Sequence, residues 1–94
     1  MIKIENIIAN HPYVRYVAVI ALPDEIIGNK ILAYVSLITG KDLEAASLLS
    51  FCSSLLPKYM IPEKIEFRDS LPMTSSGKID RKVLAEEAIG KYGR

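Results

Sequence analysis

Ile4, Ile7 and Ile8 recur at helical spacing until His11-Pro12 interrupts them, which predicts a short amphipathic helix over residues 5–10 that needs a sheet to lie on. Residues 14–21 and 31–38, dense in valine and isoleucine, predict strands largely covered on their faces. Between them, Leu22-Pro-Asp-Glu-Ile-Ile-Gly-Asn29 carries turn-forming residues and, at eight residues, is longer than a tight hairpin. Thr39-Gly40 closes the second strand. Asp42 is placed to cap a helix over residues 42–56, whose Leu48, Phe51, Cys52, Leu55 and Leu56 form one apolar stripe. Pro57 and Pro62 bracket a stiff connector, after which Lys64-Ile-Glu-Phe67 reads as a third short strand with Ile65 and Phe67 on one face. Residues 80–89 predict a last helix capped by Asp80, with Val83, Leu84 and Ala88 inward, before Gly90 and Gly93 let the terminus fray. The succession implies an α+β fold, a small central β-sheet of about three strands flanked by helices.

Length holds this to one domain over residues 1–94, because a chain so short buries roughly 60–65% of its unfolded surface and cannot divide that core. Half the residues are apolar (50%), so the core forms without disulfide or metal staples. Twelve basic residues face 11 acids, a formal charge of +1 that gives no broad surface for nucleic acid or an anionic membrane. Any basic site is local. The single cysteine, Cys52, has no disulfide partner, and its place on the apolar stripe makes it a small buried hydrophobe rather than a nucleophile. Apolar runs such as 17–22 fall far short of a membrane span, and the N-terminus lacks a basic-then-apolar leader pattern. The expectation is a soluble, cytoplasmic domain.

From Leu71 the chain turns small and polar, which predicts a flexible surface loop. Thr74-Ser75-Ser76-Gly77-Lys78-Ile79-Asp80-Arg81 sets one lysine at its tip, just ahead of a helix N-terminus that also favours anions, the pattern of a phosphate site. It is not a nucleotide P-loop: Pro72 stands where the first glycine belongs, and Ile79 where the magnesium-binding hydroxyl belongs. On this stretch alone, a solvated loop lysine competes with the phosphate reading. Arg15, Lys30, Lys58 and Lys64 read as solvated charges, with contact to a partner protein or a nucleotide phosphate as the alternative, and His11 as a boundary residue.

Taken together, His11-Pro12-Tyr-Val14, Leu22-Pro-Asp24 with Gly28, Ala33-Tyr-Val35, Leu56-Pro-Lys-Tyr-Met-Ile-Pro62, Leu71-Pro-Met-Thr and Ser76-Gly-Lys-Ile-Asp-Arg81 resemble the C-terminal domain of the adenylate-forming superfamily. That superfamily holds acyl- and aryl-CoA synthetases, nonribosomal peptide synthetase adenylation domains and luciferases. Asn29 departs from the usual Glu or Gln, in a loop where no catalytic role is at stake.

The resemblance implies an acid–thiol ligase or adenylation enzyme, with Lys78 as its catalytic lysine and Gly77 and Lys78 as the cofactor-binding pair. It also implies that ATP and Mg²⁺ are held mainly by a large N-terminal domain, in cis or in trans, and that CoA or a carrier-protein phosphopantetheine accepts the acyl group. Asp80 reads as a helix cap and Arg81 as an ion-pair partner or surface charge. The hinge and the glycine-containing loop of such enzymes belong just before Ile4, where only Met1-Ile-Lys3 stands, so the start looks like a cut near the domain junction. The chain is then expected to be inactive alone. A free-standing module that docks a carrier protein or regulates a synthetase is the alternative, and a purely structural domain the third reading.

Overall fold

A computed structural model describes residues 2–24 and 28–92. The valine-rich stretches pair as expected: β1 (Val14–Asp24) runs antiparallel to β2 (Gly28–Leu37), with Val17 opposite Val35 and Ala21 opposite Ile31. Both strands run on into the predicted connection, since Leu22 pairs with Lys30 and Asp24 with Gly28. Leu22 is buried, and prolonging the strand is what places it in the core. The rest of that connection, residues 25–27, lies outside the described residues.

β3 (Lys64–Phe67) adds to β2 in parallel, giving the order β1-β2-β3. A parallel neighbour requires a crossover, here made by α2 (Ala45–Ser53) and a 3-10 turn at Lys58–Met60. The two remaining helices are α1 (Ile2–Ala9) and α3 (Arg81–Tyr92).

Alternation along the strands divides the core in two. Val17, Val19, Ala33, Val35 and Ile65 face Ile4 and Ile8 of α1 and Leu48 and Cys52 of α2. Ala18, Ile20, Leu22, Leu32 and Tyr34 face Leu71 and Leu84 and Ala88 of α3. Because both faces are covered, the strands read as nearly continuous apolar runs. Each large buried side chain contributes about 1.5–3 kcal/mol relative to exposure, which is how a helix as short as α1 is held at all.

Several local expectations give way to tertiary demands. Asp42 does not cap α2: Glu44 is the N-cap residue and makes no side-chain capping bond, because Leu43 packs against the core and delays the helix. α2 stops at Ser53, where the Ser53 and Ser54 hydroxyls bond back to Ser50 and Phe51 carbonyls. Leu55 therefore falls off the stripe and is 52% exposed, while Leu56 stays buried. In α3, Leu84 and Ala88 form the buried stripe, and Val83, one position off it, is exposed. Gly90 does not end that helix; Lys91 and Tyr92, both bonded to Glu66, carry it two residues further.

Candidate functional site

The polar stretch after Leu71 lies at the surface, as expected, and closes on itself as a hairpin. Leu71 is buried against α3, Met73 and Ile79 form an antiparallel bridge, and the Asp80 N–H donates to the Pro72 carbonyl at 2.8 Å. Inside that frame, the Thr74 N–H donates to the Lys78 carbonyl at 2.7 Å and the Gly77 N–H to the Thr74 carbonyl at 3.0 Å. Gly77 has φ +85°, the left-handed residue that such a three-residue hairpin loop requires. Side chains finish the closure: the Thr74 hydroxyl accepts the Lys78 N–H at 3.3 Å and shares a hydrogen bond with Ser76 at 2.9 Å. A segment poor in core-formers is thus ordered by its own hydroxyls and one glycine.

Lys78 stands exposed at the end of this turn, and its ammonium makes no ion pair among the described residues. Three residues on, α3 begins. The Val83 N–H donates to Asp80 Oδ1 at 3.2 Å, so Asp80 caps the helix as its position predicted. Arg81, expected to be an ion-pair partner or a surface charge, is the former: its guanidinium forks onto Glu5 of α1. No local pattern signals this pairing, because the two residues are 76 positions apart and only the fold brings them together.

The other singled-out residues take structural places. Cys52 is fully buried, and burial pushes its thiol pKa up, away from the reactive thiolate. His11 Nδ1 accepts the Tyr13 N–H at 3.1 Å, and its ring meets Phe51 edge-on at 5.0 Å, joining the end of α1 to α2. Arg15 lies over the Tyr16 ring, and Lys64 over that of Tyr92. Among the described residues, no group of three or more His, Cys, Asp or Glu side chains could hold a metal ion, and no helix is long and apolar enough to cross a membrane.

Residues 3–78 match the family described as the AMP-binding enzyme C-terminal domain, and the chain belongs to that family. The crotonobetaine/carnitine–CoA ligase of Proteus mirabilis (strain HI4320) is 42% identical over 83 residues, which is 88% of this chain and 16% of that protein. A 2-methylpropanoate–CoA ligase of Humulus lupulus is 37% identical over 91 residues, 95% of this chain and 16% of its own length. Among solved structures, ATP-bound MatB from Rhodopseudomonas palustris superposes with a TM-score of 0.88 at 31% identity, over 96% of this chain and 18% of that one. A fatty acyl CoA synthetase of Mycobacterium tuberculosis gives a TM-score of 0.83 at 33% identity, over 94% and 17% respectively. The chain thus spans about a sixth of the length of the proteins it matches, as 16–18% coverage states.

Proposed function

We propose that residues 1–94 are the lysine-bearing small domain of an ATP-dependent, AMP-forming acid–thiol ligase of the cytoplasm, with Lys78 as its catalytic cation. The observation that carries this reading is Lys78 itself, an exposed ammonium without an ion-pair partner among the described residues, at the end of a turn closed by Gly77. A large N-terminal adenylating domain, in cis or in trans, supplies the rest. It holds ATP and Mg²⁺, consistent with the single cation that the small domain brings to the reaction. The CoA ligases among the relatives favour CoA as the thiol acceptor, with a carrier-protein phosphopantetheine as the other acceptor of the same chemistry.

Adenylation sets a carboxylate against the α-phosphate of ATP; a carboxylate oxygen bonds to phosphorus and pyrophosphate leaves. Two anions approach and negative charge builds on the phosphoryl oxygens, so an ammonium between them stabilises the transition state more than the ground state. Lysine suits this as a compact point charge on a long stem, and a water-poor cleft between domains strengthens it. Gly77 contributes the backbone turn that puts the stem forward and, with Lys78, forms the nucleotide contact of this domain.

The test joins the chain to a large adenylating domain and compares the two half-reactions. Lys78→Ala is expected to slow acyl-adenylate formation on the order of 10²–10³-fold, roughly 2.7–4 kcal/mol, and to change ATP binding much less. Supplied with preformed acyl-adenylate and thiol, the same variant is expected to make thioester at near the unmutated rate, on the reading that the small domain rotates between the two half-reactions and withdraws the lysine before the thiol attacks. Equal losses in both steps would make Lys78 a structural residue, and no loss in either would make it a solvated one.

A further inference from the structure

Glu5 joins three elements at one point. It belongs to α1, on the opposite face of the sheet from α3, and its side chain is only 14% exposed. Its Oε2 accepts the Val19 N–H of the edge strand β1 at 2.8 Å. Both carboxylate oxygens then receive the Arg81 guanidinium, one nitrogen reaching Oε1 at 2.6 Å and the other Oε2. Fork-to-fork pairing of this kind fixes direction as well as charge.

Arg81 is the first residue of α3, and the backbone between it and Lys78 is hydrogen-bonded throughout. The Arg81 N–H donates to the Ile79 carbonyl at 3.1 Å, Asp80 is bonded to Pro72, and Ile79 is bridged to Met73. α3 is held by Leu84 at the end of its first turn and, beyond it, by Ala88, the Arg68–Glu87 ion pair and the bonds of Lys91 and Tyr92 to Glu66. Around that turn Leu84 is buried, Ile79 packs against the same core and Val83 is exposed, and Arg81 adds the ion pair that ties the turn to α1.

We propose that Glu5 is a positioning residue for Lys78, acting through Arg81 to fix the first turn of α3 and with it the hairpin that presents the lysine. This rests on the reading of Lys78 as the catalytic cation. The pair also joins the helix that opens the chain to the segment that bears the lysine. A displacement of about 1 Å at a reacting group can cost on the order of 10²-fold in rate, so a loosened first turn would show in adenylation while leaving the core intact.

Glu5→Gln keeps an oxygen for the Val19 N–H and removes the charge that Arg81 grips. In the 94-residue chain, amide exchange at Thr74 and Asp80 is expected to rise about tenfold, while β2 amides such as Ala33 and Val35 change less than about twofold. In an Arg81→Gln background the same change should add nothing. Arg81→Lys, which leaves Glu5 and its bond to Val19 in place, tests the same link should Glu5→Gln fail to fold, and is expected to loosen the same amides. Joined to a large domain, Glu5→Gln should slow adenylation about tenfold with ATP affinity and thioester formation unchanged. Unchanged hairpin amides in Glu5→Gln, or an effect that persists in full without Arg81, would overturn the proposal, as would equal loss in both half-reactions. A Lys78→Ala enzyme with full adenylation would instead overturn the reading of Lys78, and the exchange data would still decide whether Glu5 anchors the hairpin.

Discussion

Tyr92 donates its hydroxyl proton to Glu66 Oε1 at 2.6 Å, and Lys91 Nζ reaches the same oxygen at 3.0 Å, tying the last turn of α3 to β3. Burial pulls the Glu66 carboxyl upward, but hydrogen bonds from Tyr92 and Lys91 and the charges of Lys91 and Arg68 outweigh it and hold the carboxyl below its ordinary value. A carboxyl depressed in the folded state contributes stability above its unfolded pKa, and that contribution disappears as pH falls through the folded one. Glu66→Gln is therefore expected to lower the urea midpoint at neutral pH and to converge with the unmutated chain in acid. A constant offset between the two at all pH values would contradict the assignment.

Gly77 has open space around it, with no atom beyond its chain neighbours within 4 Å of an added Cβ, so its replacement tests backbone conformation alone. With φ at +85°, Gly77→Ala is expected to cost about 1–2 kcal/mol in urea unfolding. Gly77→Asn should cost less, because asparagine tolerates the left-handed region. A neutral alanine variant would mean that the turn relaxes to another form.

The cap at the start of α3 is separable from the ion pair beside it. Asp80→Ala removes the acceptor of the Val83 N–H and is expected to destabilise the chain by about 0.5–2 kcal/mol, with Asp80→Asn or Asp80→Ser recovering most of that. Urea midpoints of the three variants provide the check.

Without a large domain the chain is expected to bind ATP weakly or not at all and to catalyse no exchange of pyrophosphate into ATP. One ammonium on an exposed turn neither encloses a nucleotide nor excludes water from it. Exchange by rigorously purified 94-residue protein, absent in Lys78→Ala, would show that the site is more complete than this.

What was legible in the sequence was whatever depended on neighbours in the chain. The apolar runs of β1 and β2, the four residues of β3, the Asp80 cap and the inward Cys52 all follow from local pattern, and all are found. Two of the misses share one cause. Leu43 entering the core displaced the start of α2, and Glu66 prolonged α3 beyond a glycine, both through contacts between segments that periodicity does not see. At the candidate site the order of types around Lys78 was readable. The closure of the hairpin was not, since Thr74 and Ser76 act through hydrogen bonds that any polar loop could lack. The Glu5–Arg81 pair lay furthest from view, being set by where β1 leaves its edge.

That same edge bears on how the domain behaves in a crowd of its own copies. An eleven-residue apolar strand at the side of a sheet is a template on which another chain can zip, the route to aggregates. Here the Val19 N–H is already taken by Glu5, the ladder slips between Val14 and Tyr16, and Pro23 has no N–H to offer. At the far edge β3 is four residues long and carries Lys64 and Glu66. Neither flank presents an unbroken row of donors and acceptors, so this small sheet can stand open at both sides and still resist fibril-like stacking.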